Sequence, residues 1–237
     1  MASEHTHRLS RRGILGSLIA TIGLLVTPFR AFAQACRRFV ATDQGPFYPK
    51  EEIPFAGDLL MNAASAGKPP GTVLHLVGRV LDDQCRPVPG AVVEIWQCDA
   101  GSQYRHPNAP KTKPLEPGFL YFGKVRVAPD GGYAFRTLRP APYEYLGLKR
   151  AAHIHVRVKV NERVVGTTEL YFHSPEDEAR QKGDIVFLGR GPHRDELVLA
   201  LMPAASERNR VLVPPEPGDM ACEYDISLGP FTASPGS

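Results

Sequence analysis

His153-Ile154-His155 sets two imidazoles two residues apart, in a stretch (152–160) where apolar and polar positions alternate. On a strand, side chains at i and i+2 leave by the same face, so both rings can reach one metal ion while Ile154 turns into a core. A bare His-x-His pair is more often two hydrogen-bonded strand histidines with no metal. Two tyrosines shift that balance. Tyr104 lies in a polar, proline-rich loop at 99–117, and Tyr143 ends the run Arg139-Pro140-Ala141-Pro142-Tyr143, where fixed proline dihedrals hold the phenol in one direction. Two phenols and two imidazoles make a hard N₂O₂ donor set, better suited to Fe(III) than to zinc or copper. A phenol ordinarily loses its proton near about pH 10, so a strong cationic field is needed to bind it as phenolate.

The elements that must position these residues read as short strands. β-branched and apolar runs occupy Val73–Leu81, 91–96, 122–127, 133–137, 152–160 and 164–172, with weaker ones at 186–188, 196–201 and 224–228. Breaks fall at 82–87, at Pro129-Asp130-Gly131-Gly132 and at 161–163. The Asp-Gly-Gly run supplies the positive-φ positions of a hairpin. Residues 140–148 read as a loop, and only 174–182 has helical composition. Seven or more strands at this spacing predict an all-β fold: a single β-sandwich, immunoglobulin- or prealbumin-like, with an irregular N-terminal arm at 34–72 and long active-site loops. The sandwich domain is expected over 73–237.

Residues 1–33 read as an address. Ser10-Arg11-Arg12 precedes an apolar run, and Ala31-Phe32-Ala33 makes a small-x-small cleavage site. That pattern predicts a twin-arginine signal peptide and a periplasmic or secreted bacterial protein. The apolar run is shorter than the roughly 20 residues a transmembrane helix needs, so no stable membrane anchor is expected. Twin-arginine export carries folded chains and suits proteins that load a cofactor first. The segment also holds four of the 28 basic residues and one of the 25 acidic ones, leaving 24 of each sign elsewhere. No basic stripe remains, which excludes nucleic acid as a partner. Cys36, Cys85, Cys98 and Cys222 permit up to two disulfides in an oxidising compartment, with the pairing open and buried free thiols the alternative.

Several ordered blocks carry a resemblance. They are 76–82, Pro87-Val88-Pro89-Gly90-Ala91-Val92-Val93-Glu94-Ile95-Trp96-Gln97, Gly101-Ser102-Gln103-Tyr104-Arg105-His106, Tyr133-Ala134-Phe135-Arg136-Thr137 and Arg150-Ala151-Ala152-His153-Ile154-His155. With Gly45-Pro46-Phe47-Tyr48-Pro49 ahead and Tyr224-Asp225-Ile226-Ser227-Leu228 behind, the chain resembles the intradiol ring-cleavage dioxygenases, closest to the protocatechuate-type branch, over roughly 42–229.

The resemblance implies one Fe(III) held by Tyr104, Tyr143, His153 and His155. A catechol would bind through both oxygens and displace the Tyr143 phenolate. O₂ would be inserted between the two hydroxyl-bearing carbons to give a cis,cis-muconate-type diacid. Arg150 would stabilise charge moving onto the ring. The partners implied are a small catecholic substrate and O₂, and assembly into homo-oligomers is left open.

Three departures from the family pattern stand out. Ala151 replaces the common proline and is expected to loosen the backbone ahead of the ligands. The interval from Tyr143 to His153 is short. Glu169 stands where glutamine is common, and its carboxylate is expected to raise the local negative charge, disfavouring an acidic substrate or demanding a proton. Two other readings compete: a non-catalytic sandwich module of the transthyretin-like or carboxypeptidase-regulatory kind, and a zinc or copper site built on the histidines alone.

Overall fold

A computed structural model describes residues 39–61, 64, 67–207 and 210–229. The chain divides at Gln34 into two compact units, and the described residues all belong to the second, Ala35–Ser237. The predicted export signal and Cys36 lie outside the described residues. In chain order the strands are β1 (Val73–Leu81), β2 (Val92–Trp96), β3 (Phe122–Arg126), β4 (Gly132–Leu138), β5 (Tyr143–Tyr145), β6 (Leu148–Arg150), β7 (His153–Val160), β8 (Arg163–His173), β9 (Val198–Ala200), β10 (Met202–Pro203), β11 (Met220–Glu223) and β12 (Ile226–Ser227). Two short helices, α1 (Pro175–Gln181) and α2 (Ile185–Leu188), follow β8.

Ten of the strands form two mixed five-stranded sheets. In the first, β1 lies antiparallel to β4 and parallel to β11 and β12, with β10 beside β11. The second runs β3-β2-β7-β8-β9. One buried cluster joins them: Leu74, Leu76 and Phe135 from the first sheet meet Val93, Ile95 and Ile154 from the second. This packing sets the register of β7. A slip by one residue would take Ile154, Val156 and Val158, each stabilising the fold by about 2 kcal/mol through burial, out of the inter-sheet core and would turn His153 and His155 into it.

The predicted all-β architecture is the one observed, and several local expectations are corrected. The Pro129–Gly132 turn has the predicted positive φ at Gly131, but it carries the chain from β3 in one sheet to β4 in the other instead of closing a hairpin. Residues 140–148 are not a loop. They hold most of a two-stranded hairpin, β5–β6, whose turn puts Leu146 and Gly147 at φ 50° and 77°. Residues 186–188 belong to a helix rather than a strand, because the Asp184 carboxylate accepts hydrogen bonds from the Val186 and Phe187 N–H groups and caps it. Strand structure in 196–201 is confined to Val198–Ala200, preceded by a 3₁₀ turn over Gly191–Leu197, and in 224–228 to Ile226–Ser227. The helix expected at 174–182 is α1, capped by Ser174.

Cys85 is disulfide-bonded, while Cys98 and Cys222 are buried free thiols. No helix among the described residues is long and apolar enough to cross a membrane.

Candidate metal centre

Each of the four predicted donors is positioned by a different device. His153 and His155 open β7 on one face, both buried. His155 sits across from Trp96 on one neighbouring strand and from Glu169 on the other, and its ring stacks on Trp96 at 4.8 Å and 2°. His153 faces Tyr171 across the ladder. The contact of His153 Nδ1 with the Ala151 carbonyl oxygen at 2.6 Å requires the proton on Nδ1, which leaves Nε2 as a free lone pair.

Tyr104 comes from the loop after β2. There the Asp99 carboxylate accepts hydrogen bonds from the Gly101 and Gln103 N–H groups (2.8 and 2.9 Å) and from the Tyr121 hydroxyl (2.7 Å). Tyr143 opens β5 opposite Arg150 on β6, so the hairpin delivers phenol and guanidinium as a cross-strand pair. The four rings converge. Centroids are 5.3 Å apart for Tyr104 and Tyr143, 5.5 Å for Tyr143 and His153, 4.8 Å for the two histidines and 6.4 Å for Tyr104 and His155.

The N-terminal arm closes this group from above the sheet. Gly45 has φ 70°, and a Cβ there would lie 3.1 Å from His155 Cε1, so only glycine lets the backbone pass so near the ring. Phe47 packs its ring 4.6 Å from that of Tyr104.

Buried polar atoms test whether this group suits a metal. Tyr104 Oη, His153 Nε2 and both ring nitrogens of His155 are buried and without a hydrogen-bond partner among the described residues. Buried polar atoms are nearly always paired, and each left unpaired costs about 1–3 kcal/mol. Several of them, all of donor type and gathered in one place, fit a cation.

The electrostatics agree. Burial, helped by Arg150, pushes His153 down to about 4, and burial and His153 hold His155 well below the usual histidine range, so both are neutral lone-pair donors. Burial pushes both phenols up, with Arg150 opposing it at Tyr143. They stay protonated unless a cation displaces the protons.

Glu169 sits deeper in the arrangement than the sequence suggested. Its carboxylate and the two histidines bring donor atoms within 4.8 Å of one another, which makes it part of the same cluster. The added negative charge expected from it is offset. Arg150 Nη2 donates to both its oxygens at 3.1 Å, Arg190 Nη2 to Oε2 at 2.8 Å, and the Tyr171 hydroxyl to Oε2 at 2.5 Å. Burial works against ionisation, but His153 and His155, which are protonated in the acid where this carboxyl titrates, outweigh it together with Arg150 and Arg190 and hold the group below the usual carboxylate range. No proton is required.

Nor is the backbone before the ligands loosened by Ala151. Its N–H donates to Asp184 Oδ2 at 2.8 Å, the oxygen that also receives Arg150 Nε at 3.2 Å. A proline would remove that bond. Asp184, Tyr171 and Arg190 were not singled out from sequence. Asp184 followed by Ile-Val-Phe-Leu is a legible cap signal, whereas nothing local marks Arg190.

Two cavities flank Tyr143. The larger, about 560 Å³, reaches Tyr104, Lys149 and Arg180, and the smaller, about 250 Å³, reaches Gly45, Glu169 and Arg190.

Two mixed sheets packed on one core, with a buried phenol–imidazole cluster on the opposite face of the second sheet, define a β-sandwich protein with a candidate mononuclear metal centre. The chain belongs to the dioxygenase family, whose model, described as "Dioxygenase", matches residues 43–230. It is 34% identical over 134 residues to the protocatechuate 3,4-dioxygenase beta chain of Burkholderia cepacia, covering 54% of this chain and 56% of that one. It is 31% identical over 144 residues to a chlorocatechol 1,2-dioxygenase of Rhodococcus opacus, covering 54% of each. The chain thus spans about half the length of the curated relatives it matches. The fold is similar to that of 3-chlorocatechol 1,2-dioxygenase from Rhodococcus opacus 1CP (TM-score 0.63, 23% identity, 84% of this chain and 76% of that one).

Proposed function

We propose that the chain is a non-haem iron(III) intradiol dioxygenase that cleaves a catechol-type ring between its two hydroxyl-bearing carbons. Both atoms of O₂ enter one product, a cis,cis-muconate-type diacid. The observation that carries this reading is the convergence of Tyr104, Tyr143, His153 and His155 with several donor atoms buried and unpartnered. The relatives named protocatechuate and chlorocatechol dioxygenase support the reaction class. Fe(III) held by those four residues would bind the catechol oxygens and make the ring carbon electron-rich toward O₂.

The surrounding residues then have definite tasks. Trp96 stacks on the His155 ring and fixes its plane, and Glu169 stands opposite it on the other neighbouring strand. The Ala151 carbonyl selects the His153 tautomer. Arg150, with Nη1 3.5 Å from Tyr143 Oη, places a permanent positive charge beside the phenol that substrate must replace. Phe47 and Gly45 keep water from the back of the cluster, where low dielectric strengthens each of these interactions.

We also propose export by the twin-arginine route. Ser10-Arg11-Arg12 and the following apolar run support it, as does the disulfide at Cys85, since such bonds persist in oxidising compartments.

Elemental analysis, visible absorbance and oxygen uptake with a panel of catechols test the proposal together. The expected protein carries one iron per chain, is wine-red from tyrosinate-to-iron charge transfer, and gives a ring-opened diacid containing both atoms of labelled O₂. Colourless, iron-free protein from iron-replete cells would overturn it.

A further inference from the structure

We infer that the smaller cavity is the ring-binding pocket, and that Glu169 and Asp43 tune it to uncharged catechols bearing an apolar substituent. This rests on the dioxygenase reading above and adds the class of substrate.

The choice of cavity follows from what each touches. Both border Tyr143 and Arg150, but only the smaller is lined by Gly45, which lies against His155, and by Glu169, whose Oε1 is 3.8 Å from His155 Nδ1. A ring in the smaller cavity is therefore next to both the phenol and the imidazole side of the cluster. At about 250 Å³ it falls below the roughly 300–1,000 Å³ of pockets for drug-sized ligands, and suits a single substituted ring.

Its polar end contains two cations, and a carboxylate on the ring would need one of them. Neither is free to form the two parallel N–H bonds by which a guanidinium recognises a carboxylate. Arg150 directs Nη2 to Glu169 and Tyr171, Nε to Asp184, and Nη1 toward Tyr143. Arg190 places Nη2 on Glu169 at 2.8 Å and Nη1 3.5 Å from Asp43. Among the described residues its buried Nε has no partner, one N–H where a carboxylate uses two. The lining holds two positive and two negative side chains, a net charge of zero. An entering carboxylate would meet the Glu169 charge in a desolvated pocket with no unmatched cation to balance it.

The opposite end is apolar and open. Leu146 is 83% exposed and Leu148 38% exposed at the tip of the β5–β6 hairpin, and Val186 on α2 lines the same cavity. Exposed leucines at a pocket entrance are unfavourable in water and gain by covering an apolar substituent.

The experiment is anaerobic titration of the iron-loaded protein, read by calorimetry and by visible absorbance, so that binding is seen without turnover. The probes are 4-tert-butylcatechol, 3,4-dihydroxybenzoate and its methyl ester, the last two differing chiefly in charge. The ester and the alkylcatechol should each bind at least about tenfold more tightly than the acid. Glu169→Gln, with iron content checked, should narrow the ester-to-acid ratio severalfold. The exposed Asp43→Asn should narrow it less. Leu146→Ser/Leu148→Ser should weaken the alkylcatechol alone.

Equal or tighter binding of the acid by the unaltered protein overturns the inference. So does a preference that Lys149→Ala or Arg180→Ala abolishes, which would put the ring in the larger cavity. If no catechol binds iron-loaded protein, the dioxygenase reading itself fails, a result distinct from a reversed preference.

Discussion

Replacing Glu169 with leucine should destabilise the metal-free protein by about 3 kcal/mol. The carboxylate is 1% exposed, and its partners Arg150 and Arg190 are 7% and 11% exposed, so each is largely shielded from water. Removing one member of a buried charge pair costs about 3–5 kcal/mol, because the remaining charge is left uncompensated. Arg150 keeps a second carboxylate, Asp184 at 3.2 Å, which places the expected loss at the lower end. Urea unfolding followed by the fluorescence of Trp96, the single tryptophan, reads this directly in protein stripped by chelator. With a slope of about 2 kcal/mol per molar urea, the midpoint should fall by about 1.5 M at unchanged slope.

The double variant Glu169→Leu/Arg190→Leu should recover part of that loss, since a pair replaced as a unit by apolar residues is often neutral. The charge also fixes a pH dependence. Because the folded carboxylate is held below its ordinary value of 4.5, its stabilisation is complete only above that value and fades as pH falls through the depressed folded value. The gap between parent and variant should therefore close in acid. A loss under about 1 kcal/mol at pH 7, or strictly additive single and double variants, would refute the reasoning.

Other expectations follow from the same geometry. Tyr104→Phe should make the metal-free protein more stable by about 1 kcal/mol in thermal melts, because it removes a buried hydroxyl with no partner, while abolishing much of the visible absorbance of iron-loaded protein. Ala151→Pro should cost about 1.5–3 kcal/mol by deleting the N–H that binds the buried Asp184 carboxylate; an unchanged melting temperature would remove the role given to that bond. In metal-free protein the histidines contribute stability that is complete above about pH 6.5 and declines as pH falls, through about 4 for His153, because the unfolded chain binds protons that the buried rings refuse. His153→Ala should flatten that part of the stability–pH curve.

The sandwich and the histidine pair were legible because they obey a local period, whereas Tyr104 and Tyr143 lie in irregular segments and stood out by their proline-rich surroundings and the family resemblance. Alternation through 152–160 gives β7 and the shared face of His153 and His155 directly. The β5–β6 hairpin was hidden because its strands have three residues each, its first follows a proline-rich run, and its turn uses Leu146-Gly147 in place of the usual Asn-Gly. The segment at 186–188 has the composition of a strand and is helical because of one capping carboxylate. Glu169 was found by comparison with a family pattern, but its meaning depends on Arg190, 21 residues away, and no periodicity connects the two. Charge balance inside a pocket is a tertiary property, so a sequence reading registers the lone acid and misses its counter-ions.

The arm over the cluster has a kinetic consequence. Gly45 and Phe47 lie directly on His155 and Tyr104, yet between residues 39 and 44 the main chain is tied down by two backbone bonds, Phe39 N–H to the Ser227 carbonyl and Thr42 N–H to the Thr167 carbonyl. Side chains add to these bonds: Phe39 and Val40 pack against the buried clusters, Arg157 donates to Gln44, and Phe47 is itself a core residue, so the arm opens only when all of these contacts part together. Ion exchange at the cluster should then follow the opening of this latch. The arm would then act as the clock of metal loading and loss.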